Sequence, residues 1–243
     1  MRDDTSNARA LPNSLKEEIT ALKTERIISA AVDLFYEHGY ENTTLDAVAE
    51  RLGVTKPFIY TYFDSKTDLL AEICAHGIRE LVSAIDSISP TAGSPTEKLR
   101  ALSKKTATAI LENTRHIAIS TREEKNLEPA QLREINKMRR DFGHKLANLL
   151  QAGVKTGEFS IPDARITSLA IGGLASWTYV WYRPGGRFRI EQIADILSDL
   201  ILAMVQARPA DGTPGKPRIG SKSMQDKPKP GVPAKRAKPK GRA

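Results

Sequence analysis

Hydroxyl, aromatic and lysine side chains are concentrated in the stretch TLDAVAERLGVTKPFIYTYF at positions 44–63. At the start of a short helix, such groups can donate hydrogen bonds to phosphate oxygens and to the edges of bases. The chemistry that they favour is therefore noncovalent binding of a nucleic acid. The residues expected to face outward from the second half of the stretch are Thr55, Lys56, Pro57, Thr61 and Tyr62.

Two short helices separated by a turn are predicted to position these side chains. Thr44 caps a helix over residues 45–52, Gly53 ends it, and a second helix begins after Thr55 and runs to about Tyr62. The pattern matches a helix-turn-helix, whose second helix enters the major groove of DNA; an ordinary helical hairpin is the alternative. The apolar residues expected to pack the pair together are Leu45, Val48, Ala49, Leu52, Val54, Phe58 and Ile59.

The helical spacing of apolar residues continues along the chain to about residue 206. An earlier helix is expected to end at Gly39. Ser65, with Asp68 placed for a capping box, begins a longer helix that runs to about Ile88. The alternation typical of strands is hardly seen, so we predict an all-α fold. Further helices are predicted at 95–113, 116–126, 129–156, 163–182 and 190–206.

Residues 208–243 differ sharply in composition from the rest of the chain. They hold 11 Lys and Arg against two Asp, a net charge of +9, whereas residues 1–207 carry −1. With seven Pro and no Leu, Phe, Tyr or Trp, this tail cannot bury enough apolar area to offset its ordering entropy, so we predict that it is disordered. Such a run can bind polyanions without sequence preference, or it can act only as a solvating extension.

Several function classes are excluded by what the sequence lacks. The single cysteine, Cys74, excludes an internal disulfide and a multi-cysteine metal site, and is interpreted as a buried small apolar residue. The four histidines lack the spacing of a zinc site, and no nucleophile, phosphate-loop or dinucleotide motif is found. We therefore expect no metal, no cofactor and no catalysis. Without a long apolar run or a secretion signal, a soluble, cytoplasmic protein with no membrane partner is expected.

Residues 24–73 resemble the N-terminal domain of the TetR family of bacterial transcription regulators. The resemblance rests on a helix, then G-Y-x-x-T-T, the helix-turn-helix, I-Y-x-Y-F and S-K-x-x-L-L, without a gap. It implies a three-helix DNA-binding domain followed by a larger helical domain that binds an effector and forms a homodimer. It also implies that effector binding releases the DNA. The expected division is a flexible arm at 1–19, a DNA-binding domain at 20–80, an effector-binding and dimerisation domain at 81–207, and the basic tail at 208–243.

The family pattern also implies roles for individual residues. Thr44 and Thr55 would cap the two short helices and touch phosphate groups. Lys56 occupies the position that commonly reaches a base edge, often guanine. Pro57 stands where the family often has Gly or Ala, so it can offer only an apolar contact.

Three further residues match positions in the same pattern. Tyr60 would pack within the domain and touch the DNA backbone, whereas Tyr62 and Lys66 match positions that contact phosphate. The complete set of expected DNA-binding residues is Thr44, Thr55, Lys56, Pro57, Tyr60, Thr61, Tyr62 and Lys66.

The string W-x-Y-x-W-Y-R-P-G-G-R at 177–187, followed by I-E-Q-I-A-D, resembles a subgroup of the same family that senses acyl-CoA thioesters. A CoA thioester needs an apolar slot, a stacking surface and cations for its phosphates. Trp177 and Trp181 are four residues apart and are expected to share one helix face, with Arg122 and Arg183 as phosphate partners. The alternative is that the tryptophans are core or interface anchors. Further candidate phosphate partners are Arg139, Arg140, Arg187 and Arg189.

The last two predicted helices are expected to form the homodimer interface. The first offers small residues that permit close helix approach, and the second carries an apolar stripe. The alternative is that this stripe closes the core of its own domain. The small residues are Gly172, Gly173, Ala175 and Ser176, and the stripe consists of Ile193, Ile196, Leu197, Leu200, Ile201 and Met204.

The interpretation that combines these features is a dimeric repressor that a small effector, most simply an acyl-CoA thioester, releases from its operator DNA. An efflux regulator that responds to lipophilic compounds is an alternative within the same family. A nucleoid-type protein that binds DNA with low specificity through its basic tail is an alternative from another class.

Overall fold

The computed structural model describes residues 13–89 and 92–206, and within these ranges every regular element is a helix. The predicted all-α fold is confirmed, whereas the basic tail at 208–243 lies outside the described residues. The helices are α1 (Asn13–His38), α2 (Leu45–Leu52), α3 (Lys56–Tyr60), α4 (Lys66–Ile88), α5 (Pro95–Glu112), α6 (Thr114–Glu123), a 3-10 turn (Glu124–Asn126), α7 (Pro129–Lys155), α8 (Ala164–Ser176), α9 (Thr178–Trp181) and α10 (Ile190–Met204).

Helix α1 is longer than the sequence predicted. It begins at Asn13, so residues 13–19, assigned to a flexible arm, are helical. Residues 15–18 are exposed and are leucine, lysine and glutamate, types of good helix propensity that extend the helix without a buried face. The second half of α1 is buried, and Gly39, with φ of +82°, ends the helix as expected.

Helix α4 passes through two hydrophobic cores and joins the two halves of the molecule. Its first half packs with α1, α2 and α3 in a core that also takes in Ile119, Leu127 and Ile135 from the second half of the chain. Its last turns pack against α5, α7, α8 and α10 in the second core. The predicted boundary near residue 80 therefore falls inside one continuous helix.

The start of α4 only partly follows the predicted capping box. The Ser65 hydroxyl accepts a hydrogen bond from the Asp68 amide at 3.0 Å, as an N-cap should. Among the described residues, the Asp68 carboxylate makes no hydrogen bond with the Ser65 amide; it accepts from the Ser65 hydroxyl and from Gln131 of α7, both at 2.7 Å. The second bond of the box is thus replaced by one bond to the Ser65 side chain and one to a distant helix.

The helix predicted at 163–182 is interrupted at Trp177, which separates α8 from α9. The Thr178 hydroxyl donates to the Ala175 carbonyl at 2.7 Å, and the Ser176 hydroxyl donates to the Gly173 carbonyl at 3.3 Å. Side-chain hydroxyls that take backbone carbonyls in this way compete with helix continuation. Trp177 and Trp181 therefore do not lie within one continuous helix, as the prediction of a helix at 163–182 required.

The apolar stripe of α10 divides into two rows. Ile193, Leu197 and Ile201 are buried in the molecule's own core. Ile196, Leu200 and Met204, spaced four residues apart, are 40 to 50% exposed. The buried row thus closes the core of its own domain, and the exposed row is available for the predicted homodimer interface. Helix α8 likewise exposes apolar residues, with Ile166 and Leu169 both at 69%.

Phe159, just beyond the end of α7, covers a glycine on that helix. Its ring is buried, and its backbone amide donates to the Gly153 carbonyl at 3.0 Å. A Cβ atom at Gly153 would lie 2.0 Å from the phenyl ring, closer than any real contact. The absence of a side chain at Gly153 is therefore what admits Phe159 to the second core.

None of the helices described is long and apolar enough to cross a membrane.

Candidate DNA-binding and effector sites

Helix α2 has the bounds and both caps that the sequence predicted. The Thr44 hydroxyl accepts a hydrogen bond from the Ala47 amide at 3.1 Å, and Gly53 adopts the left-handed conformation at the C-cap with φ of 65°. Leu45 and Val48 of α2 are buried with Ile59 of α3 in the first core. The paired helices therefore stand on a fixed base, with the polar side of α3 exposed.

The corner that joins α1 to α2 is held by buried polar contacts. The Thr43 hydroxyl donates to the Gly39 carbonyl at 2.9 Å. The Lys66 ammonium donates to the Tyr40 carbonyl at 2.9 Å and lies 4.1 Å from the centre of the Tyr40 ring. Lys66, expected at the phosphate backbone, therefore also fastens this corner within the protein.

Lys56, the predicted base-reading residue, is paired within the protein. Its ammonium lies 2.8 Å from the Asp46 carboxylate of α2 and 5.9 Å from the centre of the Tyr60 ring. The hydrogen bond to Asp46 raises the pKa of Lys56, so the lysine is fully charged. Both side chains are exposed, and DNA can therefore compete with Asp46 for the lysine.

Thr55 does not cap α3 as expected, although its backbone is extended at the N-cap position. An N-cap side chain accepts from the second or third amide of its helix. Pro57 is second and has no amide hydrogen, whereas the Phe58 amide donates to the Thr55 carbonyl at 3.0 Å. The Thr55 hydroxyl therefore makes no cap bond.

Helix α3 ends two residues earlier than predicted. As a result Tyr60 is exposed and Tyr62 is packed, the reverse of what was expected. The Thr61 hydroxyl donates to the Phe58 carbonyl at 2.7 Å where the helix stops. Tyr60, expected to pack, is 44% exposed. Tyr62, expected to face outward, is half-buried with its ring 5.2 Å from that of Phe58, because it no longer follows the helical period. Pro57 is exposed as predicted.

The seam between α4 and α6 contains the chain's cysteine and a pair of histidines. Cys74 is 4% exposed, and burial raises the pKa of its thiol to about 11. The rings of His76 and His116 lie 4.8 Å apart, and burial, with a smaller contribution from His76, lowers the pKa of His116 to about 4. These side chains lie at the contact between the two halves.

A narrow cavity of about 50 Å³ lies between α4, α5, α7 and α8. Its wall is almost entirely apolar, and the exceptions are three hydroxyl-bearing residues. One of them, Ser103, is 3% exposed, and its hydroxyl has no hydrogen-bond partner among the described residues. Ser103 is not among the residues predicted from the sequence to bind an effector; a serine among the apolar residues of α5 was the available signal. The three residues are Ser103, Thr106 and Ser176.

The residues predicted to bind the effector do not line this cavity. Trp177 and Trp181 are 63% and 50% exposed, and Arg122 on α6 is exposed as well. The Arg183 guanidinium donates to the carbonyls of Val180 and Tyr182 at 3.1 and 3.0 Å. A ligand that reached both the cavity and these residues would have to extend to the protein surface.

The other predicted phosphate partners are also at the surface. Arg139 is paired with Glu124 at 2.8 Å, and the Arg187 guanidinium lies 5.2 Å from the centre of the Phe188 ring. Arg140 and Arg189 are exposed. None of these four arginines lines the apolar cavity.

Two family descriptions match this chain. Residues 27–73 match "Bacterial regulatory proteins, tetR family", and residues 92–205 match "Tetracyclin repressor-like, C-terminal domain". The first match contains the whole helix-turn-helix with its caps. The second begins near the start of α5 and ends just after α10.

Individual proteins resemble the chain over most of their length. The HTH-type transcriptional repressor KstR2 of Mycolicibacterium smegmatis is 26% identical over 195 residues, which cover 79% of this chain and 94% of the relative. The TetR family transcriptional regulator PfmR from Thermus thermophilus has a TM-score of 0.68 at 31% identity, covering 73% of this chain and 97% of that one. AibR in complex with isovaleryl coenzyme A and operator DNA shares the fold, with a TM-score of 0.63 at 23% identity and coverages of 73% and 97%.

Proposed function

The chain belongs to the TetR family of bacterial regulatory proteins, and we propose that it is a homodimeric repressor that leaves its operator when it binds an acyl-CoA thioester. As a family member it is a transcriptional regulator with an N-terminal helix-turn-helix domain. The observation that carries the proposal is the combination of an exposed α3 that presents Lys56 with a separate apolar cavity in the second core. One protein thus offers a surface for DNA and an interior for a small molecule.

The DNA contact is proposed to exchange one partner of Lys56 for another. In the free protein the lysine is held by Asp46, so a base edge or a phosphate must displace the carboxylate. Charge-assisted hydrogen bonds to guanine are strong enough to compete with an exposed ion pair, which contributes little net stability. Asp46 therefore acts as an internal competitor of DNA.

Lys56→Ala is expected to weaken binding to an operator fragment by about tenfold and binding to random duplex much less, because a base contact is lost. Asp46→Asn is expected to strengthen binding to both duplexes by about threefold, since it removes a competitor and a negative charge near phosphate. Fluorescence anisotropy at fixed salt measures both effects, with the operator selected from a random duplex library.

The matched control for these variants is Asp86→Asn. It breaks an exposed pair of similar length, 2.5 Å to Lys145 of α7, on helices that belong neither to the helix-turn-helix nor to the proposed dimer interface, and it should leave DNA binding unchanged. If Asp46→Asn instead weakens operator binding, the carboxylate positions Lys56 for DNA rather than competing with it.

The homodimer is proposed to form through α8 and α10. Exposed apolar rows on both helices stay in contact with solvent in the single chain, at Ile166 and Leu169 of α8 and at Ile196 and Leu200 of α10. Contiguous exposed apolar surface of this kind is typical of interfaces. A twofold dimer would cover both rows and present two recognition helices to two half-sites.

The effector is proposed to insert its acyl group into the apolar cavity between α4, α5, α7 and α8. The tryptophan and arginine residues near α9 are proposed to bind the adenine ring and phosphates at the surface, where Trp177 and Trp181 are exposed. A regulator of the same fold, AibR, has been crystallised with isovaleryl coenzyme A and operator DNA. The resemblance of the 177–187 string to acyl-CoA sensors supports the same ligand class.

Titration of the protein–operator complex with acyl-CoA thioesters tests this proposal. Release at micromolar concentrations by at least one aliphatic, aromatic or steroid-derived thioester is expected, with the free acids and free CoA much weaker. Release by lipophilic compounds without CoA, and by no thioester, would instead identify an efflux-type regulator.

A further inference from the structure

The cavity between α4, α5, α7 and α8 contains a buried hydroxyl that the protein leaves unsatisfied. Ser103 lies in the middle of α5, and its hydroxyl has no hydrogen-bond partner among the residues that the structure describes. A serine inside a helix can usually donate to the carbonyl four residues earlier, here Leu99, but this bond is not formed. Buried polar groups of this kind are rare, because an unmade hydrogen bond destabilises the folded state.

The neighbouring hydroxyls of the cavity wall are already engaged. Thr106 donates to the Leu102 carbonyl at 2.9 Å and lies 3.2 Å from the Ser103 carbonyl. Ser176 donates to the Gly173 carbonyl at 3.3 Å. Within the described wall, the hydroxyl of Ser103 is thus the donor that remains for an occupant.

A water molecule alone is an incomplete match for this cavity. Its hydrogen bonds could reach the three hydroxyls, but it would leave the apolar remainder of the wall without packing contacts. A carboxylate is also a poor match, because no charged residue lines the cavity to compensate for its burial. An apolar group that carries one neutral hydrogen-bond acceptor can pack against the apolar wall and accept a hydrogen bond from the Ser103 hydroxyl.

We propose that Ser103 is the specificity-determining residue of the effector cavity, where its hydroxyl donates to the carbonyl oxygen of a short aliphatic acyl thioester. This inference rests on the proposed function and narrows it. A volume of about 50 Å³ is a few times the roughly 10–15 Å³ that a single buried water needs on the same measure, so the cavity has room for a short acyl group. Longer chains must widen the cavity to enter.

The experiment compares two probes that differ at the carbonyl alone, propionyl-CoA and its thioether analogue S-propyl-CoA. Calorimetric titration of the full-length wild type is expected to give about tenfold tighter binding of the thioester, the size of one net hydrogen bond. Ser103→Ala is expected to bind the two probes equally. Its melting temperature should equal or exceed that of the wild type, because an unsatisfied hydroxyl is removed from an apolar wall.

Ser198→Ala is the matched control, because Ser198 is equally buried but lies outside the cavity wall, with its hydroxyl 3.3 Å from the Arg100 carbonyl. It should keep the tenfold preference. Equal binding of the two probes by the wild type, or a preference that survives in Ser103→Ala, overturns the role of Ser103 and leaves the acyl-CoA proposal standing. Failure of every CoA thioester to bind overturns both.

Discussion

Leu200→Glu is expected to convert the proposed homodimer to a monomer and to lower the affinity for operator DNA by about a hundredfold or more. In a twofold dimer the substitution places one carboxylate on each side of the same interface, where neither has a partner. A monomer then contacts one half-site and loses the contribution of the second. Leu200 is 50% exposed in the single chain, so the fold of each protomer should be preserved.

Sedimentation velocity measures the association state, and anisotropy with the selected operator measures the affinity. Gln151→Glu is the matched control, since it adds the same charge at an exposed position on α7, away from the proposed interface. A Leu200→Glu protein that remains dimeric at micromolar concentration would place the interface on another surface.

Gly153→Ala is expected to destabilise the protein by about 3 kcal/mol, close to the loss of a buried aromatic side chain. The new methyl group would overlap the ring of Phe159, which is 4% exposed and bound through its amide to the same glycine. Either α7 or the ring must move, and the second core loses its packing around Phe159. Urea denaturation followed by circular dichroism gives the change in the free energy of unfolding.

Gly143→Ala, in the same helix, serves as the control because a Cβ there would meet no atom within 4 Å. It should be neutral or stabilise the protein by up to about 1 kcal/mol, the difference in helix propensity between the two residues. Similar effects of the two substitutions would mean that the contact with Phe159 does not limit stability.

The helix-turn-helix was predictable because its signals are local. Thr44 and Gly53 define α2 through capping bonds that lie within a few residues, and both caps are present. The end of α3 was placed two residues too late, and the predicted cap by Thr55 was wrong. In a five-residue helix, one proline removes an amide on which the expected cap depends. The spacing of apolar residues, from which the helices were predicted, gives no information on which backbone amides are free to bond with a cap.

Features that depend on tertiary contacts were beyond the sequence. The six apolar positions of α10 follow one helical period, and only packing against α5 separates Ile193 and Leu197 from the exposed Leu200. The pairing of Lys56 with Asp46 crosses a turn between two helices. The lack of a hydrogen-bond partner for the Ser103 hydroxyl depends on the atoms that surround it in the fold, so it could not be predicted from the residue type.

The buried thiol between α4 and α6 can report how often the contact between these helices opens. A thiol reagent reacts with the thiolate form of cysteine. Because the pKa of the Cys74 thiol is about 11 and the residue is 4% exposed, almost no accessible thiolate is present while the contact between α4 and α6 is closed. Labelling must therefore wait for an opening fluctuation of this seam. Because the sequence holds a single cysteine, each modified chain records one opening event at a known place. The labelling rate measures how often the contact between α4 and α6 opens. Comparing this rate with and without DNA or effector shows whether either ligand changes the opening frequency.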